Sequence, residues 1–268
     1  MSIAEDIVER LAGSPVVSQC RYAGGDIAGA SEVRLADGRA LVAKQGPVVD
    51  VEARMLEAMG RSDAPVPQVI GYGNDVLLIE RLPNDGALSG RAWSSLAAAL
   101  NALHAVTSDT YGWDEDYALR HVKVPNARKM KWAEFWGENR LLCHLPHLPP
   151  ALAKRVEALA SNLPDIVPGH PSASLVHGDL WGGNVLISGD AISGFIDPCA
   201  FYGDREVDAA SLTVFDHPPP EFFETLELES GWQERQPVYR LWMWLLHVRL
   251  FGSGYVAAVD RDLALLGF

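Results

Sequence analysis

Cysteine is scarce in this chain: Cys20, Cys143 and Cys199 are the only thiols in 268 residues, too far apart for a disulfide framework and without a zinc-type Cys/His spacing. That usage fits a reducing compartment. The sequence also lacks an apolar run of membrane-spanning length, an internal repeat and a low-complexity tract. Its start, Met1-Ser2-Ile3-Ala4-Glu5-Asp6, has neither the basic region nor the apolar stretch of a secretory leader, so a cytoplasmic location with no membrane partner is expected. Positive charge is short as well. With 22 Lys and Arg against 35 Asp and Glu, the formal net charge is −13, which repels nucleic acid and disfavours it as a partner. An anionic substrate must then be held by local positive groups.

Hydrophobic residues make up 48% and include eight Trp, enough for a large buried core in one domain or in two lobes sharing a cleft. The apolar spacing of Ile3, Ile7, Val8 and Leu11 predicts a short helix ended at Gly13-Ser14-Pro15. Three β-rich runs follow, over 16–22, 31–35 and 40–44, joined by glycine-containing turns as in an antiparallel meander. A helix over Val49 to Met59 and strands over 69–72 and 76–79 complete this part. The turn-rich stretch Leu82-Pro83-Asn84-Asp85-Gly86 marks a boundary between residues 1–82 and 83–268. Beyond it, helices are predicted over 93–105, 131–142, 150–163 and 239–251, with short strands at 185–187 and 192–196. The fold class expected is α+β, with a small sheet-plus-helix lobe and a larger, mostly helical one.

The chemical signal is concentrated in Leu175-Val176-His177-Gly178-Asp179-Leu180-Trp181-Gly182-Gly183-Asn184 and the later Phe195-Ile196-Asp197-Pro198. Asn184 lies five positions after Asp179, the spacing of the protein-kinase catalytic loop, and Asp197 lies thirteen further on. Phosphoryl transfer from ATP needs a carboxylate to orient and deprotonate the attacking hydroxyl, and oxygen ligands to hold magnesium against the phosphates. Asp179 suits the first role, Asn184 and Asp197 the second. Asp and Asn also populate turns for conformational reasons alone, and a histidine beside such a turn, here His177, either touches substrate or braces the backbone.

These stretches, extended by Tyr202-Gly203-Asp204-Arg205-Glu206-Val207-Asp208-Ala209-Ala210, resemble the fructosamine (ketosamine) kinases, within the wider aminoglycoside-phosphotransferase-like and choline-kinase-like group. Weaker echoes are Gly24-Gly25-Asp26-Ile27, Tyr111-Gly112-Trp113, Trp132 to Trp136 and Leu250 to Tyr255. The resemblance implies a bilobal protein-kinase-like fold, ATP and Mg2+ as cofactors, and a small-molecule acceptor that is an amine-linked sugar. In that picture Gly24 and Gly25 begin the loop over the ATP phosphates, Lys44 contacts phosphate oxygens and Glu52 holds it as an ion pair. Glu80 to Leu82 form the hinge facing adenine. Trp181 is a candidate for stacking on the acceptor, and Asp208 for holding the catalytic loop by hydrogen bonds. Only six residues separate Asp197 from Asp204, too few for a phosphorylatable activation segment, which favours a metabolite over a protein acceptor. The chain departs from the family pattern at Ala28 and over 116–121, which bears on the acceptor. Two alternatives stand beside this reading: another small alcohol as acceptor, such as an aminoglycoside, choline or homoserine, and a nucleotide-binding pseudokinase.

Overall fold

The computed structural model describes residues 3–22 and 29–268. Gly24 and Gly25 lie outside the described residues. The first part runs α1 (Glu5–Ala12), β1 (Val16–Arg21), β2 (Gly29–Leu35), β3 (Ala40–Gln45), α2 (Val49–Met59), β4 (Val69–Gly73) and β5 (Val76–Glu80). Its strands form one antiparallel sheet in the order β1-β2-β3-β5-β4. Strand alternation sorts β3 between two layers: Leu41 and Ala43 pack with Val8 and Ala12 of α1, whereas Val42 packs with α2 through Val49, Ala53 and Leu56. Lys44 is two positions from Val42 and therefore points toward α2.

The second part contains α3 (Ala92–His104), β6 (Thr107–Ser108), β7 (Tyr117–Leu119), β8 (Val122–Val124), α4 (Trp132–Trp136), α5 (Pro150–Asn162) and β9 (Ala173–Val176). It continues with β10 (Val185–Ser188), β11 (Ala191–Phe195), β12 (Phe201–Gly203), α6 (Glu206–Phe215), α7 (Pro220–Leu226), α8 (Trp232–Phe251) and α9 (Val256–Leu265). β10 and β11 are a hairpin, while β12-β9-β6 form a small antiparallel sheet under the loop after β9. The large apolar core includes Trp132, Trp136 and Trp242, and it reaches across to Val51, Met55 and Met59 of α2. α2 thus packs on the sheet with one face and on the second part with the other.

The turn-rich stretch after β5 is stitched to the β10–β11 hairpin. Asp85 and Gly86 donate their N–H groups to the Ile187 carbonyl, both at 2.9 Å, and Ser193 Oγ donates to the Pro83 carbonyl at 2.5 Å. A Cβ on Gly86 would fall 2.5 Å from the Gly189 carbonyl oxygen, so the close approach requires glycine there.

Two helix expectations need correction. The predicted helix over 131–142 is α only from Trp132 to Trp136; a π-turn over Gly137–Leu141 and a 3-10 segment over Leu142–His147 follow. The wide turn coincides with burial of Arg140, whose guanidinium is surrounded by the rings of Phe135, Phe201 and Trp242 at 4.8, 4.2 and 4.7 Å. The helix predicted over 239–251 begins seven residues earlier, at Trp232, because its polar first turns and Pro237 carry no apolar periodicity.

Candidate active site

Lys44 reaches Glu52 because both lie on the facing surfaces of β3 and α2. Glu52 shares its helix face with Val49, Ala53 and Leu56, so its carboxylate is drawn under the sheet. Lys44 and Glu52 are each 3% exposed and form an ion pair, and Tyr117 Oη donates to the second Glu52 oxygen at 3.3 Å. The ammonium also meets Asp197 Oδ1 at 2.6 Å. Burial alone would depress Lys44, but the carboxylates of Glu52 and Asp197 hold it above its ordinary range.

The loop between β9 and β10 is fixed by buried polar groups. Asp208, in the first turn of α6, accepts the His177 N–H at 2.8 Å, the Gly178 N–H at 2.9 Å and His104 Nε2–H at 2.9 Å. Burial would raise this carboxyl, yet its hydrogen bonds and the neighbouring imidazoles keep it below the usual range. Gly178 has φ +77°, and a Cβ there would sit 2.2 Å from the Cys199 carbonyl oxygen. No other residue fits that turn. Trp242 Nε1–H closes the loop from below by donating to the Gly178 carbonyl at 3.1 Å.

His177 is 0% exposed. Its Nδ1 accepts the Asp179 N–H at 3.3 Å and its Nε2–H donates to the Ile196 carbonyl at 2.9 Å. Burial lowers its pKa, which matches this neutral tautomer. The imidazole therefore joins the turn bearing Asp179 to the turn bearing Asp197. Of its two sequence readings, substrate contact and bracing, the geometry accords with bracing.

Asp179 is 6% exposed, and burial together with the Asp197 carboxylate pushes it up to about 7, against the Asn184 hydrogen bond. Asn184 Nδ2–H donates to the Asp179 carbonyl at 2.7 Å and lies 3.4 Å from Asp179 Oδ2. With its NH2 group so engaged, the amide presents its oxygen for other contacts. Asp197 follows β11 in the left-handed region, φ +54°, and its side chain is 44% exposed. The Asn184 carbonyl accepts the Ile196 N–H at 3.1 Å, which sets the separation of the two turns. Lys44, Glu52 and Asp197 thus form one ion-paired group and His177, Asp179 and Asn184 one hydrogen-bonded group, and the two adjoin at Ile196, whose backbone bonds both His177 and Asn184.

Trp181 is 40% exposed, and its ring lies over Gly183, where a Cβ would fall 2.3 Å from a ring atom. Leu82 packs against Gly194 of the hairpin, and Glu80 accepts the Gln68 N–H at 3.2 Å. Sequence reasoning missed Asp216, which follows α6 and accepts the Gly182 N–H at 2.7 Å, holding the loop from the side of Trp181. It also missed His104 as the third partner of Asp208. Neither residue lies near the motif in sequence, and only packing reveals them. Among the described residues no helix is long and apolar enough to cross a membrane.

The family model for fructosamine kinase matches residues 3–266. A probable ketoamine kinase of Synechocystis is 35% identical over 236 residues, covering 80% of this chain and 76% of that protein. A probable ketoamine kinase of Escherichia coli K12 is 30% identical over 230 residues, covering 81% and 80%. Among solved structures, a Thermobifida fusca protein assigned as a fructosamine-3-kinase superposes with a TM-score of 0.89 at 28% identity, covering 98% of each chain. The aminoglycoside phosphotransferase APH(4)-Ia, in a complex with ADP and hygromycin B, shares the fold, with a TM-score of 0.69 at 15% identity over 99% and 97% of the chains. With its two-part α+β architecture, and with the family model matched over nearly its whole length, the chain belongs to the fructosamine kinase family and is an ATP-dependent phosphotransferase.

Proposed function

We propose that the protein transfers the γ-phosphoryl group of ATP to a sugar hydroxyl of a ketosamine, a fructosyl- or ribulosyl-amine, with Asp179 as catalytic base. The observation that carries this reading is the convergence of two pairs, Asp179 with Asn184 and Asp197 with Lys44, brought together where the Ile196 N–H donates to the Asn184 carbonyl and the Asp197 charge acts on Asp179. Asp179, raised to about 7 in its buried setting, suits a group that accepts the hydroxyl proton near neutral pH while fixing the hydroxyl in line. Asn184 and Asp197 offer the hard oxygen donors that magnesium takes, few enough to leave its other positions to phosphates and water. When bound, magnesium would neutralise charge on the transferred phosphoryl. Lys44, kept protonated by Glu52, supplies a fixed positive charge beside Asp197 for phosphate oxygens. Gly24 and Gly25 would cover the phosphates, and the backbone from Glu80 to Leu82 would face adenine.

A kinase assay with MgATP and a panel of fructosyl-lysine, ribulosyl-lysine, an aminoglycoside, choline and homoserine tests the reading by ADP release. Turnover on a ketosamine is expected, lost by about 10³-fold in Asp179→Asn with ATP binding retained. Turnover confined to another alcohol would reassign the acceptor. Full activity of Asp179→Asn would remove that residue from the base role.

A further inference from the structure

Beside the catalytic loop the fold exposes a connected run of aromatic rings. Trp181 meets Phe215 edge-on at 6.1 Å between centroids; Phe215 meets His247 at 4.9 Å, and His247 meets Phe251 at 5.3 Å and Tyr255 at 5.1 Å. Trp244, 8% exposed, supports Phe215 from beneath at 5.8 Å. The rings come from three places: the loop two residues past Asp179, the last residue of α6, and the end of α8 with the turn after it. Helical spacing puts His247 and Phe251 on one face of α8, four residues apart. Trp181, Phe215 and Phe251 are 40, 39 and 42% exposed, three of the seven large exposed hydrophobic side chains among the described residues. His247 Nδ1–H donates to the Met243 carbonyl at 2.8 Å and burial lowers its pKa, so its ring is a neutral part of the surface. Cations flank this run: Arg120 lies over Phe251 at 5.4 Å and Arg261 over Trp244 at 5.7 Å.

We propose that this shelf of Trp181, Phe215, His247, Phe251 and Tyr255 is a binding subsite for the amine substituent of the acceptor, and that it selects substituents that are aromatic or extended and apolar. The inference rests on the ketosamine reading, because it takes the sugar to lie at Asp179 and the amine to point away along the rings. Continuity favours this occupant, since the shelf starts at the residue whose ring borders the catalytic loop. Its chemistry does too: exposed ring faces and edges gain by stacking against a planar or apolar group, with each good pair worth a several-fold change in affinity. A substituent carrying a second cation would meet Arg120 and Arg261 at the flank.

The test compares two acceptors with the same sugar and the same amine charge, fructosyl-ethylamine and fructosyl-phenethylamine, by kcat/KM. Wild-type protein is expected to prefer the phenethyl adduct by about tenfold or more, chiefly through KM. Phe215→Ala and Phe251→Ala are each expected to reduce that preference at least threefold; both side chains are more than one-third exposed, and turnover of the ethyl adduct monitors folding. Equal kcat/KM for the two adducts, a preference for the ethyl adduct, or a phenethyl preference that survives both substitutions would overturn the subsite while leaving the ketosamine reading intact. Absence of turnover on either adduct, with activity on a non-ketosamine alcohol, would overturn both.

Discussion

Lys44 and Asp197 stand 153 positions apart in sequence, yet their side chains meet at 2.6 Å, Nζ to Oδ1. One comes from the five-stranded sheet and the other from the turn after the β10–β11 hairpin, so this ion pair closes the site between the two parts of the fold. Because Lys44 is also paired with Glu52, one ammonium answers two carboxylates.

That sharing predicts the effect of Lys44→Met. Glu52 would be left buried without its counter-charge, an arrangement that costs about 3–5 kcal/mol. Urea denaturation should show a loss of this size, relieved in the double variant Lys44→Met/Glu52→Gln. Activity should fall by about 10²-fold or more in both, since the double variant restores stability and not the phosphate-directed charge. Recovery of activity alongside stability would contradict the role given to Lys44.

Asp208 is three residues' anchor at once, holding His177, Gly178 and His104. Replacement by Asn turns one acceptor oxygen into a donor aimed at a buried N–H. The expected result is a stability loss of about 2–3 kcal/mol and a fall in kcat larger than any change in the KM for ATP, because the loop carrying Asp179 loosens. Thermal unfolding and steady-state kinetics on the same preparation separate the two effects.

Trp181→Ala removes a half-exposed ring from beside the catalytic loop and leaves Lys44 and Asp197 in place. The acceptor KM should rise more than the ATP KM, by about tenfold against less than twofold. The opposite ranking would show that the ring packs for the loop and not for the acceptor.

His144 offers a pH dependence. Among the described residues neither of its buried ring nitrogens has a hydrogen-bond partner, and burial, reinforced by nearby Arg249 and Arg140, lowers its pKa to about 3. Between the ordinary value of 6.5 and about 3 the unfolded chain binds a proton that the folded chain does not. Stability from this group is therefore complete above pH 6.5 and drains as pH falls toward 3, at up to about 1.4 kcal/mol per pH unit. His144→Leu should flatten the acid limb of a plot of unfolding free energy against pH, and a limb of unchanged slope would place the titration elsewhere.

Much of the site was legible because kinase chemistry restricts residue types at short range. Asp179 and Asn184 are five positions apart on one loop, and Asp197 follows a hairpin whose length fixes where it returns. Lys44 and Glu52 were named only through the family resemblance, which asks for a lysine on the third strand and a glutamate on the following helix; that β3 and α2 turn them toward each other is seen in the fold. The partners reached by packing were not legible. His104 lies at the end of α3, Asp216 past the end of α6, and Arg140 in a π-turn within what reads as continuous helix, and no local pattern announces contacts made with residues far away in the chain. The short strands β6, β9 and β12 escaped for the same reason, since two to four residues carry too little periodicity to be told from loop.

The sequence by itself determined the α+β class, the order of elements in the first part, the family, and the identities of the residues proposed for phosphoryl transfer, because hydrophobic period and motif spacing are local properties of a chain. Only the tertiary structure decided that Lys44 meets Asp197, that Asp208 clamps the loop, that His177 is buried between the turns bearing Asp179 and Asp197, and that five aromatic residues from three segments form one shelf. Those are distances between residues far apart in the chain, and they exist only once burial of the apolar core has fixed the segments against one another.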